Sequence, residues 1–240
     1  MVQALVPLKD LVRAKTRLAG ILSPSERRAL AQAMAEDVLA LLAAHPLVDG
    51  INLVSDDPSA HLLAAQYGAR HWPENELGCS GLNNIIDTAS RRLFAAGDEP
   101  VLVLHADLPL LEPTDVSAVV AARQKIQGLV IGSDRHGSGT NVLCFDAAAV
   151  PEFCFGDNSC MRHLTAARTQ GIPAMVVKRP GIGLDLDEPQ DLALLLRRLH
   201  SDARGRSAEL LRGSELGTRI EVALDSLQSG EKLFDEHEVV

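Results

Sequence analysis

Three aspartates stand where they could do chemistry together. Asp107 closes the apolar run VLVLHADLPLL (101–111), and a carboxylate at the end of a buried strand is costly unless a cation meets it. Pro109 ends that strand two residues later. Asp185 and Asp187 lie one residue apart in GLDLDEPQDL (183–192). On an extended segment such a pair points to one side. Three convergent carboxylates would hold one or two Mg²⁺ ions for phosphoryl or nucleotidyl transfer. One of the acids at 187–188 is also a ready cap for the helix that Pro189 opens.

The matching positive charge is at the other end of the chain. Lys9, Arg13, Lys15 and Arg17 follow the apolar run that ends at Pro7. Lysine offers a point charge and arginine a planar fork, both suited to phosphate oxygens. Neither GxxxxGK[ST] nor GxGxxG occurs, so a triphosphate would be gripped by these side chains rather than by a glycine-rich loop. Small residues supply further anion contacts. GSGTN (137–141) and FGDNS (155–159) bring glycines that permit close backbone approach, Gly156 among them, and the hydroxyls of Thr140 and Ser159. Taken singly these are ordinary turns. Asn83, at the start of a helix after GCSG, reads as a cap or a ligand, and His163 reads as a residue that packs or bonds locally.

The elements that must position these groups are legible in the patterning. Apolar, β-branched runs at Ala4–Pro7, Gly50–Val54, Pro100–His105, Leu129–Ile131, Val142–Phe145 and Ala174–Val177 predict buried strands. Amphipathic stretches at Ser23–Ala44, Asn83–Ala96, Pro113–Arg123, Ser159–Gln170 and Pro189–His200 predict helices, the first with Ser23-Pro24-Ser25-Glu26 as a capped start. Alternating strands and helices mean an α/β fold with a mainly parallel sheet covered on both faces, spanning residues 1–200. Ligands then bind beyond the carboxyl ends of the strands. The polar stretch Ser201–Ser207, the weakly periodic Ser214–Ser226 and the mostly acidic 230–240 read as an appendage over 201–240, part helical and part flexible, packing on the domain or on a second subunit.

Composition narrows the partners. The 240 residues carry a net charge of −9, which argues against general attraction to nucleic acid or an anionic membrane. No signal-peptide layout and no apolar stretch of about 18 residues is present, so a cytoplasmic protein is expected. Cys79, Cys144, Cys154 and Cys160 lack the paired spacing of a zinc site or a disulfide scaffold and read as buried or incidental thiols.

Taken in order, VPLKDLVRAKTRLAGILSPSERRALAQAMAEDVL, GLNN, HADLPLL, GTNVL, FGDNSCMRH and LDLDEPQDL resemble the CofC/FbiD guanylyltransferases of coenzyme F420 biosynthesis, over residues 1 to about 198. The resemblance implies a Rossmann-like nucleotidyltransferase fold and transfer of GMP from GTP to a three-carbon phospho-acid with release of pyrophosphate. The acceptor would be 2-phospho-L-lactate, phosphoenolpyruvate or 3-phospho-D-glycerate. It also implies roles: Asp107, Asp185 and Asp187 on Mg²⁺, and Lys9, Lys15 and Arg17 on the GTP phosphates. Thr140, Gly156 and Ser159 would surround the acceptor's phosphate or carboxylate, with Asn83 near the nucleoside. Two positions depart from the family pattern: Cys79-Ser80 replaces an acid before Gly81, and Cys160 replaces an aromatic after Ser159. Rival readings keep the sheet and change the chemistry, to a sugar phosphate or molybdopterin as acceptor, or to a non-catalytic nucleotide-binding module.

Overall fold

A computed structural model describes residues 1–11, 14–199 and 204–235, with side chains through 226. Arg13, His200 at the end of the last predicted helix, residues 201–203 of the predicted polar stretch and the acidic end at 236–240 lie outside the described residues. Seven strands form one sheet: β1 (Val2–Pro7), β2 (Val48–Val54), β3 (Arg70–Trp72), β4 (Val101–Leu104), β5 (Leu129–Ser133), β6 (Thr140–Phe145) and β7 (Ala174–Val177). Their order is β3-β2-β1-β4-β6-β5-β7. All pairings are parallel except the two made by β6, which runs against β4 and β5. One edge of the sheet therefore collects the carboxyl ends of six strands and the amino end of β6.

Burial on both faces explains why the strands are almost wholly apolar. Along β4, Leu102 and Leu104 join one core, and Val101 and Val103 the other. In β6, Val142 and Cys144 alternate with Leu143 and Phe145 in the same way. The first core is roofed by α1 (Pro24–Ala44), α2 (Ala60–Gln66) and α4 (Pro113–Ile126), the second by α3 (Leu82–Ala96) and α5 (Ser159–Thr169). A single turn, α6 (Pro180–Gly183), which the patterning did not announce, and α7 (Pro189–Arg198), the last helix expected within residues 1–200, follow. The start of α1 is the expected capping box: Ser23 Oγ accepts from the Glu26 amide, and the Glu26 carboxylate accepts from the Ser23 amide.

Two further helices, α8 (Arg206–Leu211) and α9 (Glu215–Asp235), continue the chain. Leu211, Ile220 and Leu224 share a third core with Leu30 and Met34 of α1 and Leu192 and Leu195 of α7. Asp37, in the middle of α1, fastens this segment. Its Oδ1 accepts from the Arg206 amide at 2.6 Å, and its Oδ2 from the Ser207 amide at 2.9 Å and the Ser207 hydroxyl. A side chain on one helix thus caps the start of another.

Because charged caps of this kind contribute about 2 kcal/mol, Asp37→Ala is expected to lower unfolding free energy by about that amount. Urea denaturation checks it. A loss within 0.5 kcal/mol (roughly the surface-substitution range) would mean that α8 is held by its apolar contacts alone.

Candidate active site

The loops that leave the common edge carry the predicted aspartates and most of the predicted cations. After β4, the chain turns at Asp107, whose carbonyl accepts from the Leu186 amide at 3.2 Å. That bond joins the 107 loop to the 183–188 segment. There, Leu184 and Leu186 are buried while Asp185 and Asp187 are only half-buried. The two leucines dip into the third core and so turn both acids toward the edge, as their spacing predicts.

Lys15 lies at the meeting point. Its Nζ donates to Asp107 Oδ2 at 2.5 Å and to Asp187 Oδ1 at 2.9 Å, and its side chain is 7% exposed. Burial alone would lower the lysine's pKa, but the two carboxylates outweigh it and hold the ammonium above its usual value. Burial likewise works to raise Asp107, and Lys15, with His105 beside it, brings that carboxyl below its usual range. Asp185 goes the other way: burial and then the neighbouring Asp107 raise it, against the hydrogen bond from Asn141 Nδ2 at 3.2 Å. Asp107 keeps one oxygen, Oδ1, buried without a hydrogen-bond partner.

The three acids are therefore neighbours, but among the described residues no three His, Cys, Asp or Glu side chains close around a single point as a metal cluster does. Physical chemistry gives the reason. Carboxylates repel one another unless a cation stands between them, and here an ammonium bridges two of them while an amide holds the third.

The other predicted cations are spread out. Lys9 is exposed, with Glu74 and His105 within reach of its charge. Arg17 is also exposed and donates to Glu188 Oε1 at 3.1 Å, a pairing of little energetic weight. A second group forms on the α5 side. Thr140 Oγ1 lies 3.1 Å from His163 Nδ1, and His163 Nε2 accepts from the Cys154 amide at 2.9 Å. Since Nε2 accepts, the proton of the neutral ring is on Nδ1 and is donated to Thr140. The threonine hydroxyl keeps its own hydrogen for another acceptor. Ser159 is buried at the start of α5, and its amide donates to the Gly156 carbonyl at 3.1 Å. Gly156 has φ +114, a conformation that side chains other than hydrogen rarely take, and the space above it is open. Asn83 holds this loop: its Oδ1 accepts from the Phe155 amide at 2.7 Å and its Nδ2 donates to the Phe155 carbonyl at 3.5 Å. The Phe155 ring meets His105 and His163 edge-on, with centroids 5.3 and 5.0 Å away, and so joins the two groups.

Several positioning residues were not singled out from the sequence. Asn141 bridges the Ile182 carbonyl at 2.9 Å and Asp185. Asp191 Oδ2 accepts from the amides of Asp187 and Glu188 at 2.9 and 2.7 Å, while Oδ1 pairs with Arg135. Glu188, not Asp187, is the N-cap of α7. The same device recurs at α4, where Asp115 accepts from the Glu112 amide at 3.0 Å and pairs with Arg179 at 2.8 Å. Its sequence signal is a repeated Glu-Pro-x-Asp, at 112–115 and 188–191.

A family model described as guanylyl transferase CofC like matches residues 2–227. The chain belongs to the CofC-like guanylyl transferase family. Curated relatives named phosphoenolpyruvate guanylyltransferase include one from Sphaerobacter thermophilus, 37% identical over 79% of this chain and 89% of its own length. Another, from Conexibacter woesei, is 36% identical over 85% and 91%. Among solved structures, a protein of Desulfovibrio desulfuricans G20 assigned to the nucleotide-diphospho-sugar transferases superposes with a TM-score of 0.78 at 18% identity, over 93% of this chain and 99% of that one. A 4-diphosphocytidyl-2C-methyl-D-erythritol synthase superposes with a TM-score of 0.55 at 16% identity, over 80% and 96%. The fold is that of the nucleotidyltransferases, and membership makes the CofC-like chain an enzyme of the guanylyl-transfer class. The family match passes residue 198, where the resemblance read from the sequence stops, and takes in α8 and much of α9. No helix among the described residues is long and apolar enough to cross a membrane.

Burial depresses His163 to about 4, below its ordinary value near 6.5. Between those values the unfolded chain takes up the proton and the folded CofC-like chain does not, so the contribution is full above pH 6.5 and is lost as pH falls toward 4. From pH 7.5 to 5 the wild type should lose about 2 kcal/mol more than His163→Gln. Urea titrations at the two pH values measure this, and equal losses would mean that the folded imidazole takes up its proton as readily as the unfolded one.

Proposed function

We propose that this guanylyl transferase moves GMP from GTP to a three-carbon phospho-acid in coenzyme F420 biosynthesis, with phosphoenolpyruvate the first acceptor to test. The convergence of Lys15, Asp107, Asp185 and Asp187 at the carboxyl edge of the sheet carries the reading. The names of the relatives favour phosphoenolpyruvate over 2-phospho-L-lactate and 3-phospho-D-glycerate.

The reaction needs no covalent enzyme intermediate. A phosphate oxygen of the acceptor attacks the α-phosphorus of GTP, the bond from that phosphorus to the bridging α–β oxygen breaks, and pyrophosphate leaves with the electron pair. The protein's task is to align two anions and offset their repulsion. On this reading Lys9, Lys15 and Arg17 attend the triphosphate. A triphosphate arriving beside Lys9 and Arg17 competes with Asp107 and Asp187 for the Lys15 ammonium. Thr140, with its hydroxyl hydrogen free, the open backbone at Gly156 and Ser159 receive the acceptor. Asn83 acts by holding the Phe155–Gly156 backbone that lines this side, next to the nucleoside.

The acids fit a magnesium ion in chemistry: all donors are carboxylate oxygens, Asp107 Oδ1 is buried without a partner, and two of the three already share one cation. Asp107, Asp185 and Asp187 would hold it. When bound, Mg²⁺ supplies positive charge that screens nucleophile from triphosphate.

Asp107→Asn and Asp185→Asn are each expected to cut turnover at least a hundredfold with an unchanged circular dichroism spectrum. Near-normal Mg²⁺-dependent rates in both would remove the metal assignment. The assay offers GTP, Mg²⁺ and each of the three acids in turn, with products read by mass; a sugar phosphate or molybdopterin accepted in their place, or GTP bound without product, would overturn the acceptor class. Lys15→Ala should raise the KM for GTP at least tenfold. Unchanged nucleotide kinetics would put the triphosphate elsewhere.

A further inference from the structure

Beyond the transfer reaction, and independent of it, a pocket of about 310 Å³ lies at the carboxyl ends of β5 and β7. Arg135, Lys178, Arg179 and Arg198 line it, with Asp134 the one acid among its lining residues. None of the residues gathered around Lys15 lines it. We propose that this pocket is a second anion site, for a small molecule bearing a phosphate or diphosphate group.

Four cations in one concavity are out of keeping with a chain of net charge −9. Among the described residues the chain pairs only two of them, Arg135 and Arg179, with a carboxylate. Asp134 spends its two oxygens on the amide and hydroxyl of Ser138, at 2.8 and 3.0 Å. Lys178 and Arg198 have no carboxylate partner among the described residues. Arg135 and Arg179 are pinned from behind, by Asp191 and by the buried Asp115. A guanidinium has five donors, so both keep N–H groups to spare in a fixed orientation.

An independent observation points the same way. Ser133 lines the pocket, is 1% exposed, and its hydroxyl is buried without a hydrogen-bond partner. An orphaned buried hydroxyl costs free energy that a ligand oxygen would recover. Planar arginine forks, a point-charge lysine and a hydroxyl together suit tetrahedral phosphate oxygens. The volume is at the small end for metabolite sites and suits a small molecule. Pro180, Leu184 and Leu194 add an apolar wall that an organic ester could cover.

The test is isothermal titration calorimetry on the full chain in EDTA, with inorganic pyrophosphate and, separately, glycerol phosphate. The wild type and Asp107→Asn are expected to give the same saturable one-site isotherm with at least one probe. The Lys178→Ala/Arg198→Ala double variant is expected to bind at least tenfold more weakly. Tighter pyrophosphate binding assigns the site to the inorganic anion, and tighter glycerol phosphate binding to a phosphoester. The proposal is overturned if neither probe binds the wild type, if the double variant binds as the wild type does, or if Asp107→Asn abolishes binding. Guanylyl transfer is assayed on the same samples. Its absence with binding intact would bear on the transferase reading alone.

Discussion

Everything at the proposed site depends on how the repulsion among half-buried acids is held in check. Two like charges 4 Å apart cost on the order of 4 kcal/mol at the effective dielectric of a protein surface, and a third acid adds to it. The Lys15 ammonium offsets that by bonding Asp107 and Asp187 together. Reaching them requires the left-handed backbone seen at Lys15, φ 54, which is unfavourable for a lysine. The loop is also tied at its origin, where buried Asp57 accepts from the Leu11 amide at 2.8 Å. Local strain and an anchored loop are tolerated because a buried charge that loses its partner is the costlier alternative.

That electrostatic knot is useful only if its members cannot drift, and the two capping boxes prevent drift. Each spends one oxygen of a buried aspartate on the backbone at the helix start and the other on an arginine from a neighbouring strand end. Arg135 follows β5 and Arg179 follows β7, so the starts of α7 and α4 are cross-linked to the far half of the sheet. Asp191 adds the Asp187 amide to its load, which fixes the backbone of a residue in the knot. Close packing accompanies this. A Cβ at Gly181 would collide with the Asp115 carboxylate and the Leu110 carbonyl, so glycine is required there for space rather than for backbone freedom.

The fold was largely legible because burial on both sheet faces writes strands as apolar runs, and the long helices carry caps and periodic apolar stripes. What escaped was short. β3 has three residues at the sheet margin and α2 has seven, too few for a period to emerge. The reversed direction of β6 was equally invisible, since an apolar run has no polarity. In the site, the alternation of Leu184, Asp185, Leu186 and Asp187 announced the paired acids, because leucines seek the core whatever their neighbours do. The Lys15 bridge was not announced. Composition gave cations for phosphate and acids for metal, and only the fold reveals that, before any ligand arrives, they serve each other. Asn141 went unremarked although it lies inside a segment already noted, because an asparagine after a glycine-rich turn looks like more turn.

The reversal of β6 has a chemical consequence. Parallel strands deliver carboxyl ends to the common edge, and the turns after them present Lys9, Asp107, Asp134 and Lys178. A strand that begins at that edge brings its first side chains instead, Thr140 and Asn141, seated rigidly in the sheet. Asn141 gives its side-chain amide to Asp185, and its main-chain carbonyl accepts from the His105 main-chain amide at 3.1 Å. Thr140 is oriented from beneath by His163. Neutral donors are thus inserted among the acids, at positions fixed by ladder hydrogen bonds rather than by loops. Lys15 draws Asp107 below its usual range, whereas burial and then the charge of Asp107 keep Asp185 above its own against the pull of the Asn141 amide. A full positive charge favours the ionised form more than a neutral amide does, so the amide at Asp185 leaves burial and the neighbouring charge of Asp107 only partly offset.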